Sequence, residues 1–227
     1  MTQTNQHTCV IVGAGFSGIC LGIQLQKAGI HDFIILEKGH DVGGTWRDNH
    51  YPECDVPSAL YSFSFETKTD WDYTWSEQPQ ILDYIKGTVR RHGLAPHIRL
   101  NATVREASHD AAKGLWQITL ANGETLQTQF FVSAVGQLHK PFIPALPNAA
   151  SAVQFIPKIA GQAAHLTVFQ RSANWVSRKR DRPYSQRQKA MLRAFPLLQK
   201  LARLKTYLRN ELLVFPALRG NRLSRWL

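Results

Sequence analysis

Glycines 13, 15 and 18 of the run Gly13-Ala14-Gly15-Phe16-Ser17-Gly18, with a carboxylate at Glu37, are the residues of this 227-residue chain whose spacing suits a phosphate-bearing ligand. Glycine at 13 allows a tight turn, glycine at 15 lets backbone approach a pyrophosphate, and glycine at 18 lets a helix pack closely on its strand. Phe16 and Ser17 open that helix, whose first-turn N–H groups and positive dipole end attract phosphate. Glu37 follows Gly18 by nineteen residues, the distance at which an acid meets a ribose. It would accept ribose hydroxyls and repel a 2'-phosphate, which disfavours NADP here and leaves FAD or NAD. A tight strand-helix turn without a ligand is the other use of such glycines. A second pair, Gly43-Gly44, runs into Thr45-Trp46.

These residues need a strand, a loop, a helix and a second strand to hold them. CVIVG before the loop and FIILE ending at Glu37 read as the two strands, with a helix between. Gln78 to Arg91 reads as a helix ending near Gly93, and IRLNATVREA as one strand. LWQITLANGETLQTQFFVSAVG gives two strands around a two-residue Asn122-Gly123 turn, the second running to Gly136. Three prolines after Lys140 make the stretch to Pro147 a linker. Beyond it come a helical stretch, residues 148–160, and a strand, His165 to Gln170, with Arg171 and Ser172 at its end. Arg171 there favours a 2'-phosphate and hence NADPH, and equally suits a solvated strand end. No apolar strand and no glycine loop lies between Pro147 and Asn148, so the phosphate half of that second site is missing. The fold class expected is α/β: a Rossmann-like FAD-binding domain with a β-meander, the remnant of a second Rossmann (NADP) domain, and a helical tail.

Composition bounds the rest. With 44% apolar and 19% charged residues the chain can build a core. No apolar run approaches the roughly 18 to 20 residues that span a membrane, and the polar start MTQTNQHT is no secretory signal, so a cytoplasmic protein is expected. Cys9, Cys20 and Cys54 are too few and scattered for a disulfide framework, and the nine histidines form no metal-spaced pair, so no metal is expected. The net charge of +11 is uneven: Val176 to Leu227 carries fourteen Lys and Arg against Asp181 and Glu211, leaving the preceding body almost neutral. In that tail Pro196 suits a first helical position, and Leu197, Leu198, Leu201, Leu204, Leu208 and Leu212 fall on one face. A helix packing on parts of a larger enzyme accounts for this better than membrane-surface contact, and no aromatic-interleaved basic motif points to nucleic acid.

GAGFSG with Glu37, GGTW, NHYPECDVPSALYSFSFE, SAVGQLHKPFIPALP and TVFQRSANWV together resemble the flavoprotein monooxygenases of the Baeyer-Villiger and flavin-containing type, from about Thr8 to Tyr184. The resemblance implies a prosthetic FAD reduced by NADPH, and one oxygen of O2 inserted beside a ketone carbonyl or added to a nitrogen or sulfur. It implies an FAD-binding part over residues 1–140, a linker at 141–147, a partial NADP-binding part at 148–183 and a basic amphipathic helical segment at 184–227. By position, Gly13, Gly15, Phe16, Ser17, Gly18 and Glu37 match the FAD pyrophosphate and ribose contacts, and Gly44, Thr45 and Trp46 the loop beside the flavin. Asp55 matches the active-site aspartate and Tyr61 the aromatic near the isoalloxazine. Val104 and Gly136 fall among the cofactor contacts, Gln137 at the interdomain turn, and Arg171 and Ser172 at the 2'-phosphate. A carboxylate at Asp55 could orient a cation that stabilises developing negative charge, or merely cap a turn before Pro57-Ser58.

The departures matter equally. The loop Tyr51-Pro52-Glu53-Cys54-Asp55 is two residues shorter than the family's and lacks its glycine, the segment between Pro147 and Asn148 is absent, and so is the later arginine expected at the flavin. Impaired oxygenation is therefore expected. A non-catalytic FAD or NAD binder is the alternative class, and a peripheral membrane protein held by the tail a third.

Overall fold

In the computed structural model, residues 6–50, 54, 56–137, 156–167 and 181–214 are described. The two apolar runs flanking the glycine loop form parallel neighbours, β1 (Gln6–Val12) and β2 (Phe33–Leu36), with Cys9 opposite Phe33 and Val12 opposite Leu36. Consecutive residues Val10 and Ile11 are both fully buried, as parallel strands covered on both faces require. The glycine loop leads into α1 (Phe16–Lys27), which crosses between the strands. Beyond β2 lies the two-residue β3 (Ile98–Arg99). On the other side β1 pairs in parallel with β6 (Thr125–Ser133), followed by the antiparallel β5 (Leu115–Leu120) and β4 (Val104–Asp110). The order is β3-β2-β1-β6-β5-β4, a Rossmann-like half-sheet completed by a β-meander.

A cluster of Val10, Leu36, Ala102, Ile118, Leu120 and Leu126 packs within this sheet region, with Val104 at its margin. Ile19 and Ile23 of α1 are fully buried, and a Cβ at Gly22 would stand 3.0 Å from Ile35 and 3.1 Å from Leu94, so the helix lies close on these side chains. The helix expected from Gln78 to Arg91 has those ends as α3, and buries Ile81, Tyr84, Ile85, Thr88 and Val89 along one stripe. Each large aliphatic so buried contributes about 1.5–3 kcal/mol.

Two strand expectations need correction. IRLNATVREA is not one strand: Asn101 adopts φ 54° and breaks it, and its two halves become β3 and β4 at opposite edges of the sheet. The break is fixed by the N–H of Asn101 donating to the Gly39 carbonyl and that of Ala102 to the Glu37 carbonyl. The β5–β6 turn is longer than two residues, closed by Leu120 N–H donating to the Glu124 carbonyl, with Gly123 at φ 88°. The strand before Gly136 ends at Ser133.

The chain divides into two compact units, Met1–His50 with Ile81–Pro147 and Tyr51–Gln80 with Asn148–Leu227. In the second, a 3-10 turn at Ser58–Leu60, a short helix α4 (156–160), α5 (Gln186–Ala194) and α6 (Pro196–Arg209) are described, the last running on as a wider turn over Asn210–Val214. Residues 156–160 are thus the described part of the expected helical stretch. Residues 165–167 are not in a strand, and the remainder of the strand expected at 165–170 lies outside the described residues, as does the linker at 141–147. α5 opens on a capping box, Ser185 Oγ accepting from Gln188 N–H while the Gln188 side chain accepts from Ser185 N–H. Pro196 takes the first-turn position expected of it.

Candidate functional site

The glycine loop sits where β1 ends. Gly13 N–H donates to the Leu36 carbonyl at 2.8 Å and Ala134 N–H to the Val12 carbonyl at 2.8 Å, which fixes the loop between β2 and the chain leaving β6. Gly13 has φ 109°, and a Cβ there would meet the Ala134 carbonyl oxygen at 2.5 Å, so both conformation and space demand glycine. A Cβ on Gly18 would run into the Gly13 carbonyl oxygen. Gly15 differs: its φ of −87° suits any residue, and a Cβ would find only the Gly44 Cα, at 3.8 Å. Among the described residues nothing needs glycine at 15. The open space in front of it, at the uncapped start of α1, is a cradle that a side chain would fill and a pyrophosphate can occupy.

The second glycine pair is built against the first. Gly43 N–H donates to the Ala14 carbonyl at 2.9 Å, and a Cβ on Gly44 would reach 3.2 Å from the Gly15 Cα. Gly44 then caps a single helical turn, α2 (Thr45–Asp48), holding Thr45 and Trp46. The Phe16 ring stacks on Tyr84 of α3 with centroids 6.3 Å apart, so at the loop Phe16 has its backbone to offer.

Glu37, directly after β2, is 4% exposed. Its Oε2 accepts from Ala14 N–H at 2.8 Å, and its Oε1 accepts from Gly39 N–H at 2.8 Å and from Arg47 Nη1 at 2.9 Å. Burial pushes its carboxyl upward, and the Ala14 N–H, the Arg47 guanidinium and the Gly39 N–H outweigh that and hold it below the usual glutamate value. Arg47 also donates Nε and Nη2 to the Asp48 carboxylate at 2.7 and 2.8 Å, and Nη1 to the Asp41 carbonyl at 2.5 Å. Sequence reasoning passed over Arg47; the available signal was a cation following GGTW, ten residues after the strand-end acid Glu37.

The other expected site residues scatter. Val104 begins β4 and packs against the sheet cluster. Gly136, at φ 78°, and Gln137 are exposed beyond the end of β6. Tyr61 ends the 3-10 turn of the second unit. Asp55, Arg171 and Ser172 lie outside the described residues. Among the described residues no cluster of His, Cys, Asp and Glu is arranged to hold a metal, and no helix is long and apolar enough to cross a membrane.

Residues 11–86 match the NAD(P)-binding Rossmann-like domain family. The chain is 36% identical to a Baeyer-Villiger monooxygenase of Streptomyces coelicolor, over 88% of its own length and 45% of that protein's. It is 37% identical to the FAD-binding monooxygenase ktnD of Aspergillus niger, over 74% of its length and 35% of that protein's. The first alignment runs over 234 positions, more than the whole chain, so the relative carries residues inside the matched span that this chain lacks. Among solved structures it superposes on the closed form of cyclohexanone monooxygenase with a TM-score of 0.77 at 28% identity, over 85% of this chain and 43% of that one. An oxidized steroid monooxygenase bound to NADP gives 0.75 at 28%, over 84% and 43%. The chain spans somewhat under half the length of these relatives, and over that span it is similar in sequence and fold to Baeyer-Villiger and FAD-binding monooxygenases.

Proposed function

We propose that these residues form the FAD-holding portion of a flavin-dependent monooxygenase of the Baeyer-Villiger type. The observation that carries this is Gly15, a glycine for which the described residues give no conformational or packing reason, facing open space at the start of α1. The Gly13–Gly18 loop would hold the pyrophosphate, Glu37 the adenosine ribose, and Gly44, Thr45 and Trp46 the adjoining part of the cofactor. Bound there, FAD supplies the redox chemistry by which NADPH and O2 are used on a ketone or on a nitrogen or sulfur centre. Asp55 and Tyr61 are assigned to the flavin side, Arg171 and Ser172 to the 2'-phosphate of NADPH, Val104, Gly136 and Gln137 to the periphery of the cofactor. Residues 1–140 are read as the FAD part, 141–147 as linker, 148–183 as the NADP remnant, 184–227 as the helical segment. A cytoplasmic setting accords with three thiols outside any disulfide.

The fit for NADPH is poor. Gly161 is the one glycine from residue 148 to residue 200, and it stands alone after α4, so no glycine loop is present to fix a second pyrophosphate. Arg171 alone attracts only the remote end of the dinucleotide, and correct placement is worth about 7–11 kcal/mol of a barrier. These 227 residues are therefore expected to bind FAD, more weakly than a complete enzyme, and not to oxygenate ketones with NADPH. Equilibrium titration with FAD and with NAD tests the first part. For the second, NADPH, FAD, O2 and a panel of cyclic and aryl ketones are supplied and ester product is measured. Turnover on the order of 1 per second or faster would overturn it.

A further inference from the structure

We propose that Arg47 is a positioning residue of the dinucleotide site: by engaging Oε1 of the buried Glu37 carboxylate, it leaves Oε2, on the side of the glycine loop, to receive a ribose hydroxyl. The inference rests on the assignment of this loop to a dinucleotide. A carboxylate offers about four acceptor positions. Oε1 uses both of its own on Gly39 N–H and Arg47 Nη1, whereas Oε2 uses one, on the N–H of Ala14 inside the loop. One acceptor position, on the loop side, is left for a ligand.

Arg47 is itself held so that it can do little else. Its fork lies on the two Asp48 oxygens, its Nη1 also meets the Asp41 carbonyl, and the Arg47 and Glu37 side chains are 8% and 5% exposed. A Cβ on Gly39 would collide with the guanidinium, and one on Gly43 would come 2.5 Å from Leu82 and 3.2 Å from the Arg47 Cβ. Both glycines thus leave room for the arginine. The remaining charges near Glu37 are occupied or turned away. Asp48 backs the guanidinium, Asp41 pairs with Lys86 at 2.7 Å with His40 beside it, Arg99 of β3 pairs with Glu124, and Lys38 is exposed. Among the described residues no other cation pairs with the buried carboxylate.

The test uses the 227-residue protein, in wild-type form and as Arg47→Met, Arg47→Lys, Glu37→Gln and the Glu37→Gln/Arg47→Met double variant. The Glu37 carboxyl is followed by carbon-13 NMR, assigned by its loss in Glu37→Gln, and FAD affinity is titrated from pH 5 to 8. Arg47→Met should raise the pH at which Glu37 titrates and weaken FAD roughly 10- to 100-fold, the worth of one hydrogen bond to a charged group, with the loss growing as pH falls. Arg47→Lys should restore the low titration in part. The double variant, which buries no unpaired charge, should bind FAD no worse than Glu37→Gln alone. A Glu37 titration unmoved in Arg47→Met, or a double variant clearly weaker than Glu37→Gln, would overturn the proposal, the second because Arg47 would then act on the ligand or the loop by itself. Should Arg47→Met not fold, the comparison of the double variant with Glu37→Gln decides. Wild-type protein that takes up no FAD would remove the dinucleotide reading instead, and the carboxyl titration would still decide whether Arg47 sets Glu37.

Discussion

The glycine-loop unit and the helical unit use their side chains in opposite senses. In the first, Val10, Ile11, Ile19, Ile23, Ile35 and Leu36 are inside, and the buried carboxylate of Glu37 has three donors. In the second, α5 and α6 are attached by their polar side chains. Lys189 reaches Asp72 at 2.5 Å, Gln199 Nε2 donates to the Lys68 carbonyl at 2.9 Å, and Arg203 Nη1 donates to the carbonyls of Ala59 and Ser62 at 2.8 and 2.6 Å. Gln199 is 3% exposed whereas Leu197 is 66% and Leu201 51% exposed. Hydrogen bonds of this kind contribute about 0.5–1.5 kcal/mol each, rising to roughly 3 for charged groups, while each unburied leucine forgoes about 1.5–3 kcal/mol. The first unit buries these aliphatic side chains in its interior, though Phe130 of β6 is 61% exposed. The second leaves the leucine face of α6 largely exposed.

The sharpest way to break this comparison lies in the first unit. Gly15→Val should leave the fold within about 1 kcal/mol of wild type, the size of a helix-cap change, and reduce FAD affinity by on the order of 100-fold or more, since the side chain occupies the pyrophosphate space. Titration beside a thermal melt separates the two, and undiminished FAD uptake would show that Gly15 does not face the ligand. Gly18→Ala should do the reverse. Its Cβ meets the Gly13 backbone, so chemical denaturation should record a loss of about 1–3 kcal/mol even without cofactor.

In the second unit, Arg203→Met removes the three hydrogen bonds from Nη1 to Ala59 and Ser62. The expected loss is about 1–2 kcal/mol, read as faster amide exchange along α6 with β1, β2 and β6 unaffected. Exchange that accelerates equally in both units would mean they unfold as one.

Acid should weaken the first unit through Glu37. Its folded carboxyl titrates below its unfolded value, so its contribution is present above the unfolded glutamate pKa, near 4.3, and is lost as pH falls through the lower, folded one. Glu37→Gln should flatten that acid limb of the stability curve. An unchanged limb would place the acid sensitivity elsewhere.

The smallest effect on stability, and a clear one on association, is expected of Leu201→Glu with Leu204→Glu. Both leucines are about half exposed, so folding should change by no more than about 0.5 kcal/mol each, while any self-association or binding to anionic vesicles should diminish. Analytical ultracentrifugation of the two forms checks this, and a wild-type monomer indifferent to vesicles would show that α6 needs no partner.

Residues adjacent in the chain settled much of this molecule by themselves. β1, the glycine loop, α1 and β2 form one local unit, with turn, helix start and strand-end acid specified within about thirty residues. α3 was legible as a helical stretch ending near Gly93, the β5–β6 hairpin from Asn122-Gly123, and the start of α6 from Pro196. Other features were decided by residues distant in sequence. IRLNATVREA has the pattern of one strand, yet its backbone turns at Asn101 because Gly39 and Glu37 offer carbonyls there, and the halves join opposite edges. Arg47 carries no distinguishing mark in the sequence beyond its place after GGTW, and only the fold buries it on Glu37, leaving one oxygen of that acid with an open acceptor position. The leucine stripe of α6 was legible as a stripe, but periodicity reports only that a helix has two faces. Which face turns inward depends on what stands opposite, and here the carbonyls of Ala59, Ser62 and Lys68 drew the polar one in.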